Sequence, residues 1–141
     1  MINWLTTMQK IILVEDSLML RERLGAMINA IPNALLVAET DNQNDAQCYL
    51  KQYQPDIAII DLRLKQGSGF SLIEHIKTAY SNITIIVLTN LIQPEYREKC
   101  LTLGAHRFID KTMDSKAFAT LLTELCSHRT GSADSHEGST S

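Results

Sequence analysis

The amino-acid sequence predicts an α/β fold in which a doubly wound, five-stranded parallel sheet has helices on both faces. Short β-branched runs alternate five times with segments whose apolar residues recur at helical spacing. The first, third and fourth runs are almost wholly apolar, as strands covered on both sides must be. The 141 residues are 45% apolar, which suits one core and leaves no length for a second domain.

The strands and helices follow in a regular order. Apolar runs predict strands over residues 11–14, 34–38, 57–60, 83–88 and 108–109. Apolar stripes at helical spacing begin after each strand, at Leu20, Ala46, Phe70, Tyr96 and Phe118. Pro94 suits the first turn of the fourth helix, and Gly104 is placed to end that helix.

Composition divides the chain into three parts. Residues 1–9 are an N-terminal extension, and residues 10–129 form the domain. Residues 130–141 are rich in Ser and Gly and contain no large apolar residue, which predicts a disordered tail.

Several functional classes find no support in the composition. The three cysteines form no CxxC pair and no zinc spacing, which favours free thiols in a reducing cytoplasm. No apolar run approaches the roughly 18 residues of a membrane span, and residues 1–9 lack the pattern of a secretory signal. The net charge of −3 and the scattered basic residues argue against a nucleic-acid surface.

Reactive side chains follow four of the five predicted strands. Glu15 and Asp16 follow the first, while Asp61, Thr89 and Lys111 stand at the ends of the third, fourth and fifth. The carboxyl ends of parallel strands share one edge of the sheet, where ligands bind. We therefore expect these five side chains to meet in one site.

The carboxylates predict a cation. Three within about 5 Å would repel by roughly 3 kcal/mol per pair at an effective dielectric near 20. Such a cluster raises carboxyl pKa values or recruits a cation, and all-oxygen ligands favour Mg²⁺, with Mn²⁺ as the alternative. The competing interpretation, an ordinary loop carboxylate, is strongest for Glu15 and weakest for Asp61, which follows four apolar residues.

Lys111 and Thr89 complete a set typical of phosphoryl transfer. An ammonium and a hydroxyl can both bind phosphoryl oxygens, and a carboxylate can serve as the nucleophile. In such sites the protein mainly positions groups and neutralises charge. The alternatives are that Lys111 is an exposed strand-end lysine and that Thr89 simply finishes its strand.

These motifs resemble the receiver domain of bacterial response regulators, over about residues 10–129. The similar segments are Val14-Glu15-Asp16-Ser17, Ile59-Ile60-Asp61-Leu62-Arg63-Leu64, Gly67-Ser68-Gly69-Phe70, Val87-Leu88-Thr89 and Phe108-Ile109-Asp110-Lys111.

The resemblance implies the flavodoxin-like strand order 2-1-3-4-5 and Asp61 as the phosphoacceptor. It implies Mg²⁺ held by Asp16, Asp61 and the backbone carbonyl of Arg63, with Glu15 acting through water. It also implies that Thr89 and Phe108 form a conformational switch; the alternative is that Phe108 is a core aromatic on a short strand.

The resemblance also implies a signalling partner on each side. A histidine kinase or phosphotransfer protein would supply the phosphoryl group. The surface of the fourth helix, fifth strand and fifth helix would meet an effector, and phosphorylation could pair two copies. The chain would be no enzyme beyond its own phosphorylation and dephosphorylation.

Two other functions stay open. The chain could be the receiver part of a DNA-binding regulator whose output domain lies outside this sequence. It could also be a hydrolase of the haloacid-dehalogenase type. That class typically carries an Asp-x-Asp motif on its first strand, whereas here Asp61 ends the third strand and is followed by Leu62 and Arg63.

Three residues depart from the receiver pattern. Lys65 and Thr112 stand where many members have proline, and Asn90 stands where alanine or glycine is common. We expect a looser loop after Asp61, added bulk near the phosphoryl site, and an altered turn after Lys111.

Overall fold

The sheet has the predicted architecture. The structure, a computed structural model, describes residues 8–90 and 93–135, with side chains described up to residue 127. Its strands are Gln9–Val14 (β1), Ala34–Thr40 (β2), Ile57–Asp61 (β3), Thr84–Thr89 (β4) and Arg107–Asp110 (β5). They pair in parallel in the order β2-β1-β3-β4-β5, which confirms the predicted fold.

Helices cover both faces of the sheet. In the described residues they are Leu18–Asn29 (α1), Gln43–Tyr53 (α2), Gly69–Ala79 (α3), Pro94–Leu103 (α4) and Ser115–Ser135 (α5). Successive strand residues point to opposite faces. In β1, Ile12 and Val14 therefore join the core under α2, α3 and α4, whereas Ile11 and Leu13 join the core under α1 and α5. This two-sided burial explains why the central strands are apolar throughout.

Polar caps fix where three helices begin, next to the ends of the strands. Ser17 Oγ accepts a hydrogen bond from the Leu20 amide at 3.2 Å, and Asn42 Oδ1 accepts one from the Asp45 amide at 2.8 Å. Ser68 caps α3 in the same way. A side-chain cap contributes about 1 kcal/mol to stability. These caps hold the strand-to-helix turns at the edge of the sheet where the reactive residues lie.

As predicted, the fourth helix begins at Pro94 and ends before Gly104. Gly104 has a φ of +123°. Cys100 is fully buried against the sheet, but Tyr96 is 36% exposed. Its ring stacks on Phe70 with the ring centroids 6.3 Å apart. Tyr96 therefore lies at the rim of the helix's apolar side, and its partner is a neighbouring aromatic rather than the core.

The last helix is longer than the sequence predicts. Its backbone is helical to Ser135, which takes residues 130–135 out of the segment predicted as disordered, while residues 136–141 lie outside the described residues. Helix propagation adds one local hydrogen bond per residue, so a helix can continue past its last apolar contact. The three-part division of the chain otherwise stays a prediction. Within the described residues, no helix has the length and hydropathy required of a membrane span.

Candidate phosphoryl-transfer site

A polar cleft of about 250 Å³ opens at the carboxyl edge of the sheet. Residues from the ends of β1, β3, β4 and β5 converge on it, as the sequence predicts. Its lining consists of Glu15, Asp16, Ser17, Asp61, Arg63, Thr89, Asn90 and Lys111.

Asp61 lies at the floor of the cleft, where it is 3% exposed. Its Oδ2 is 2.8 Å from Lys111 Nζ, and its Oδ1 accepts a hydrogen bond from the Arg63 amide at 3.2 Å. The start of α3 packs directly on its backbone, since a Cβ at Gly69 would collide with the Asp61 carbonyl oxygen. The position of this carboxylate is therefore fixed by the four buried strand residues before Asp61 and by the close packing of Gly69 on the Asp61 backbone.

Glu15 is fully buried beside Asp61. Its Oε2 accepts a hydrogen bond from the Ser17 amide at 2.9 Å, and its Oε1 is 3.2 Å from Lys111 Nζ. Burial raises the pKa of Glu15 above its ordinary value and the Asp61 charge adds to this, while the Ser17 amide and Lys111 oppose it. Ionisation of Glu15 therefore lowers the stability of the folded protein.

Lys111 joins the two carboxylates. Its amide donates to the Thr89 carbonyl at 3.1 Å, which places the side chain over the cleft. Burial alone would lower the pKa of Lys111, but the hydrogen bond and charge of Asp61, and then Glu15, outweigh burial and raise it. The side chain therefore stays an ammonium at neutral pH.

Asp16 offers a carboxylate oxygen suited to a cation. Its Oδ1 is buried and has no hydrogen-bond partner among the described residues. Buried polar atoms are nearly always satisfied, so this oxygen is available to a ligand. The described residues hold no group of three or more Asp, Glu, His or Cys side chains arranged as a complete metal cage. Mg²⁺ needs only one or two carboxylates, with waters completing its octahedron, so the donors present fit Mg²⁺.

Thr89 and Phe108 lie on adjacent strands but in different surroundings. Thr89 is buried in the lining of the cleft, whereas Phe108 is half-buried and lies outside that lining. The Arg97 guanidinium of α4 lies 4.8 Å from the centroid of the Phe108 ring, within cation–π range. The switch role of this pair stays a prediction.

Two supporting residues were missed from the sequence. The Ser17 amide binds Glu15, and Arg21 donates from Nη1 to the Glu15 carbonyl at 2.8 Å. Ser17 could have been found, because it directly follows the acidic pair and suits a helix cap. The Arg21 contact is made to a backbone atom, which leaves no residue pattern to detect.

The family model of the response regulator receiver domain matches residues 11–123. The chain belongs to this family. It is therefore a receiver domain of two-component response regulators, which is a signalling domain. In general, receiver domains are phosphorylated with Mg²⁺ and interact with histidine kinases and effector domains.

The curated relatives include both enzymes and transcriptional regulators. A protein-glutamate methylesterase/protein-glutamine glutaminase of Treponema pallidum is 28% identical over 76% of this chain and 27% of its own length. The transcriptional regulatory protein DesR of Bacillus subtilis is 27% identical over 84% of this chain and 58% of its own. The virulence transcriptional regulatory protein PhoP of Salmonella choleraesuis is 27% identical over 89% of this chain and 55% of its own length. The chain thus spans only part of each of these relatives.

Solved structures share the fold. A LuxR-family DNA-binding response regulator from Staphylococcus aureus has a TM-score of 0.78 at 24% identity, over 84% of this chain and 99% of that one. The response regulator domain of Thermotoga maritima CheB has a TM-score of 0.76 at 20% identity, over 88% of this chain and 97% of that one.

Proposed function

We propose that this receiver accepts a phosphoryl group on Asp61 and passes the signal on through a protein surface. The observation that carries the proposal is the contact of Asp61 with Lys111 at 2.8 Å on the floor of a cleft that also holds an unpartnered Asp16 oxygen. A nucleophile, a cation ligand and a fixed positive charge lie within one site. Together they are what phosphoryl transfer requires of a protein.

The reaction needs few steps. An Asp61 oxygen attacks the phosphorus of a phosphohistidine, the P–N bond breaks, and the leaving imidazole keeps the electron pair. Lys111 neutralises one phosphoryl oxygen, and the Thr89 hydroxyl donates to another. The carboxylates of the cleft repel an incoming phosphoryl group. The positive charge of Lys111, on one side of the cleft, offsets part of this repulsion.

Asp16, Asp61 and the Arg63 backbone carbonyl would hold Mg²⁺ or Mn²⁺, with Glu15 acting through water. The bound ion would neutralise charge on the transferring group. Asp16 supports this assignment because its buried oxygen lacks a donor, and Arg63 supports it because its amide already binds Asp61.

The output surface in this proposal is the face of α4, β5 and α5. Thr89 would move toward the phosphoryl group and Phe108 would turn inward, which changes that face for an effector or for a second phosphorylated copy. The half-buried Phe108 ring supports this, because it packs at the margin of the core beneath the exposed Arg97 guanidinium, so an inward turn would bury it further. New charge at one site would thus bias a two-state element.

The donor in this proposal is a histidine kinase or phosphotransfer protein, and the compartment is the cytoplasm. The three free cysteines in the described residues agree with a reducing environment. The chain itself would contact no nucleic acid and no membrane.

A second candidate is the receiver part of a DNA-binding transcriptional regulator. The relatives DesR and PhoP favour it, because this chain spans only 58% and 55% of their lengths. The length of the natural open reading frame separates the two candidates.

Incubation with acetyl phosphate and Mg²⁺ tests the proposal. The intact mass should rise by about 80 Da, as one phosphoryl group adds, and EDTA should abolish the rise. Asp61→Asn should remain unlabelled, while the exposed control Asp114→Asn, which keeps a cap at α5, should label normally. Labelling of Asp61→Asn would reject Asp61 as acceptor, and steady turnover of a phosphate ester would favour a hydrolase.

A further inference from the structure

The loop after Asp61 is fastened to the start of α2. The Lys65 amide donates to the Asp41 carbonyl at 3.1 Å, and the Gln43 amide donates to the Gln66 carbonyl at 2.9 Å. The sequence predicts a looser loop here because Lys65 replaces a common proline. These backbone hydrogen bonds anchor the loop, in place of the rigidity that a proline at position 65 would provide.

The Gln43 side chain adds a second anchor. Its Oε1 accepts a hydrogen bond from the Ser68 amide at 3.0 Å, and its Nε2 donates to Ser71 Oγ at 2.9 Å. Gly67, with φ +87°, lies against this side chain, and a Cβ at that position would collide with it. The loop therefore closes on Gln43 only because residue 67 is a glycine.

A short chain of contacts leads from Gln43 to Asp61. Ser68, whose amide Gln43 binds, caps α3 and forms an antiparallel bridge with Arg63. The Arg63 amide in turn donates to Asp61 Oδ1 at 3.2 Å. Each link is a hydrogen bond or backbone pairing between neighbouring segments, so a shift of Ser68 would be transmitted to Arg63.

We propose that Gln43 is a positioning residue for phosphorylation: it sets the loop of residues 62–68 so that the Arg63 backbone is held against Asp61. This inference rests on the proposed function. Gln43 does not line the cleft, so it acts through Ser68 and Arg63. Preorganisation of this kind lowers the cost of ordering the site when the cation and phosphoryl group arrive.

Three variants test the role of the side chain. Gln43→Met keeps the length of the side chain but loses both hydrogen bonds. Gln43→Glu keeps an oxygen that can accept from the Ser68 amide, and a carboxylate is tolerated in the first turn of a helix. Gln52→Met changes an exposed glutamine of the same helix and serves as the matched control.

The main readout is the Mg²⁺ concentration that half-saturates labelling by acetyl phosphate, measured separately from the maximal rate. Gln43→Met should raise it about fivefold, roughly the effect of one lost hydrogen bond, with less change in the maximal rate at saturating Mg²⁺. Gln43→Glu should restore most of the difference, and Gln52→Met should match the wild type. A uniform loss of labelled protein, without a shift in the Mg²⁺ requirement, would indicate a merely structural role and overturn the proposal.

Two measurements need no phosphorylation. Calorimetric titration with Mg²⁺ alone should show the same weakening in Gln43→Met, and amide hydrogen exchange at Ser68 should become faster in that variant. Unchanged Mg²⁺ affinity and exchange in Gln43→Met would refute the role of Gln43 even if wild-type protein is labelled on Asp61. An unlabelled wild type would instead refute the proposed function.

Discussion

Replacing Lys111 by methionine should destabilise the protein in a pH-dependent way. The substitution leaves two carboxylates, Glu15 and Asp61, without the ammonium that lies 3.2 Å and 2.8 Å from them. Both acids are buried, and the Lys111 side chain itself is only 17% exposed. Breaking a buried ion pair costs about 3–5 kcal/mol, and because this cleft opens to solvent we expect about 2–4 kcal/mol near pH 8.

The pH dependence follows from Glu15. Its pKa is already raised above the ordinary 4.5, mainly by burial, and loss of Lys111 removes an effect that lowers it. An acid whose folded pKa is raised contributes no penalty below its unfolded pKa, and the penalty grows as the pH rises through the folded pKa. The difference between Lys111→Met and wild type should therefore be smaller near pH 4.5 than at pH 8, by the part that the ionised Glu15 contributes.

Urea denaturation at both pH values measures this difference, with EDTA present so that no cation replaces the lysine. Lys116→Met, which removes an exposed lysine of α5, is the control and should change stability by less than about 0.5 kcal/mol. A loss equal to that of the control, or a loss that does not depend on pH, would contradict the assignment of Lys111 as the counter-charge of the acid pair.

Three further substitutions test the surroundings of the site. Glu15→Gln cannot ionise, so its free energy of unfolding should exceed that of the wild type at pH 8 but not near pH 4.5; the opposite order in urea titrations would mean that burial is not what raises the Glu15 pKa. Thr112→Val should raise the pKa of Asp110 measured by NMR, because that pKa is held low by the Thr112 amide and then its hydroxyl; an unchanged titration would exclude the hydroxyl. Gly69→Ala should lower stability by about 1–3 kcal/mol through its collision with the Asp61 carbonyl, and normal thermal unfolding would show that the start of α3 can shift.

The convergence of the site could be predicted from the sequence. Parallel strands joined by helices present their carboxyl ends at one edge, so residues that follow the strands must meet there. Glu15, Asp61, Thr89 and Lys111 lie at that edge because chain order and strand polarity leave no other arrangement. The apolar runs of β1, β3 and β4 fixed the positions of Glu15, Asp61 and Thr89, since these three strands are covered on both faces.

Contacts between side chains of separate segments could not be predicted in this way. Gln43 reaches Ser68 only because Gly67 leaves room for it, and the Arg97–Phe108 contact depends on how α4 packs beside β5. Neither pair has a spacing or residue pattern in the sequence. The extension of α5 was missed because local backbone hydrogen bonds can continue a helix without apolar residues.

Trapping the acyl phosphate tests the central claim most directly. Borohydride reduces an aspartyl phosphate to homoserine, and cleavage after Lys51 and Arg63 releases a peptide that carries both Asp56 and Asp61. After treatment with acetyl phosphate and Mg²⁺, fragmentation of this peptide should place homoserine at position 61 and leave Asp56 unchanged at the opposite end of β3. Homoserine at Asp56, or at Asp16 in the peptide released by cleavage after Lys10 and Arg21, with position 61 intact, would contradict the assignment of Asp61 as the phosphoacceptor.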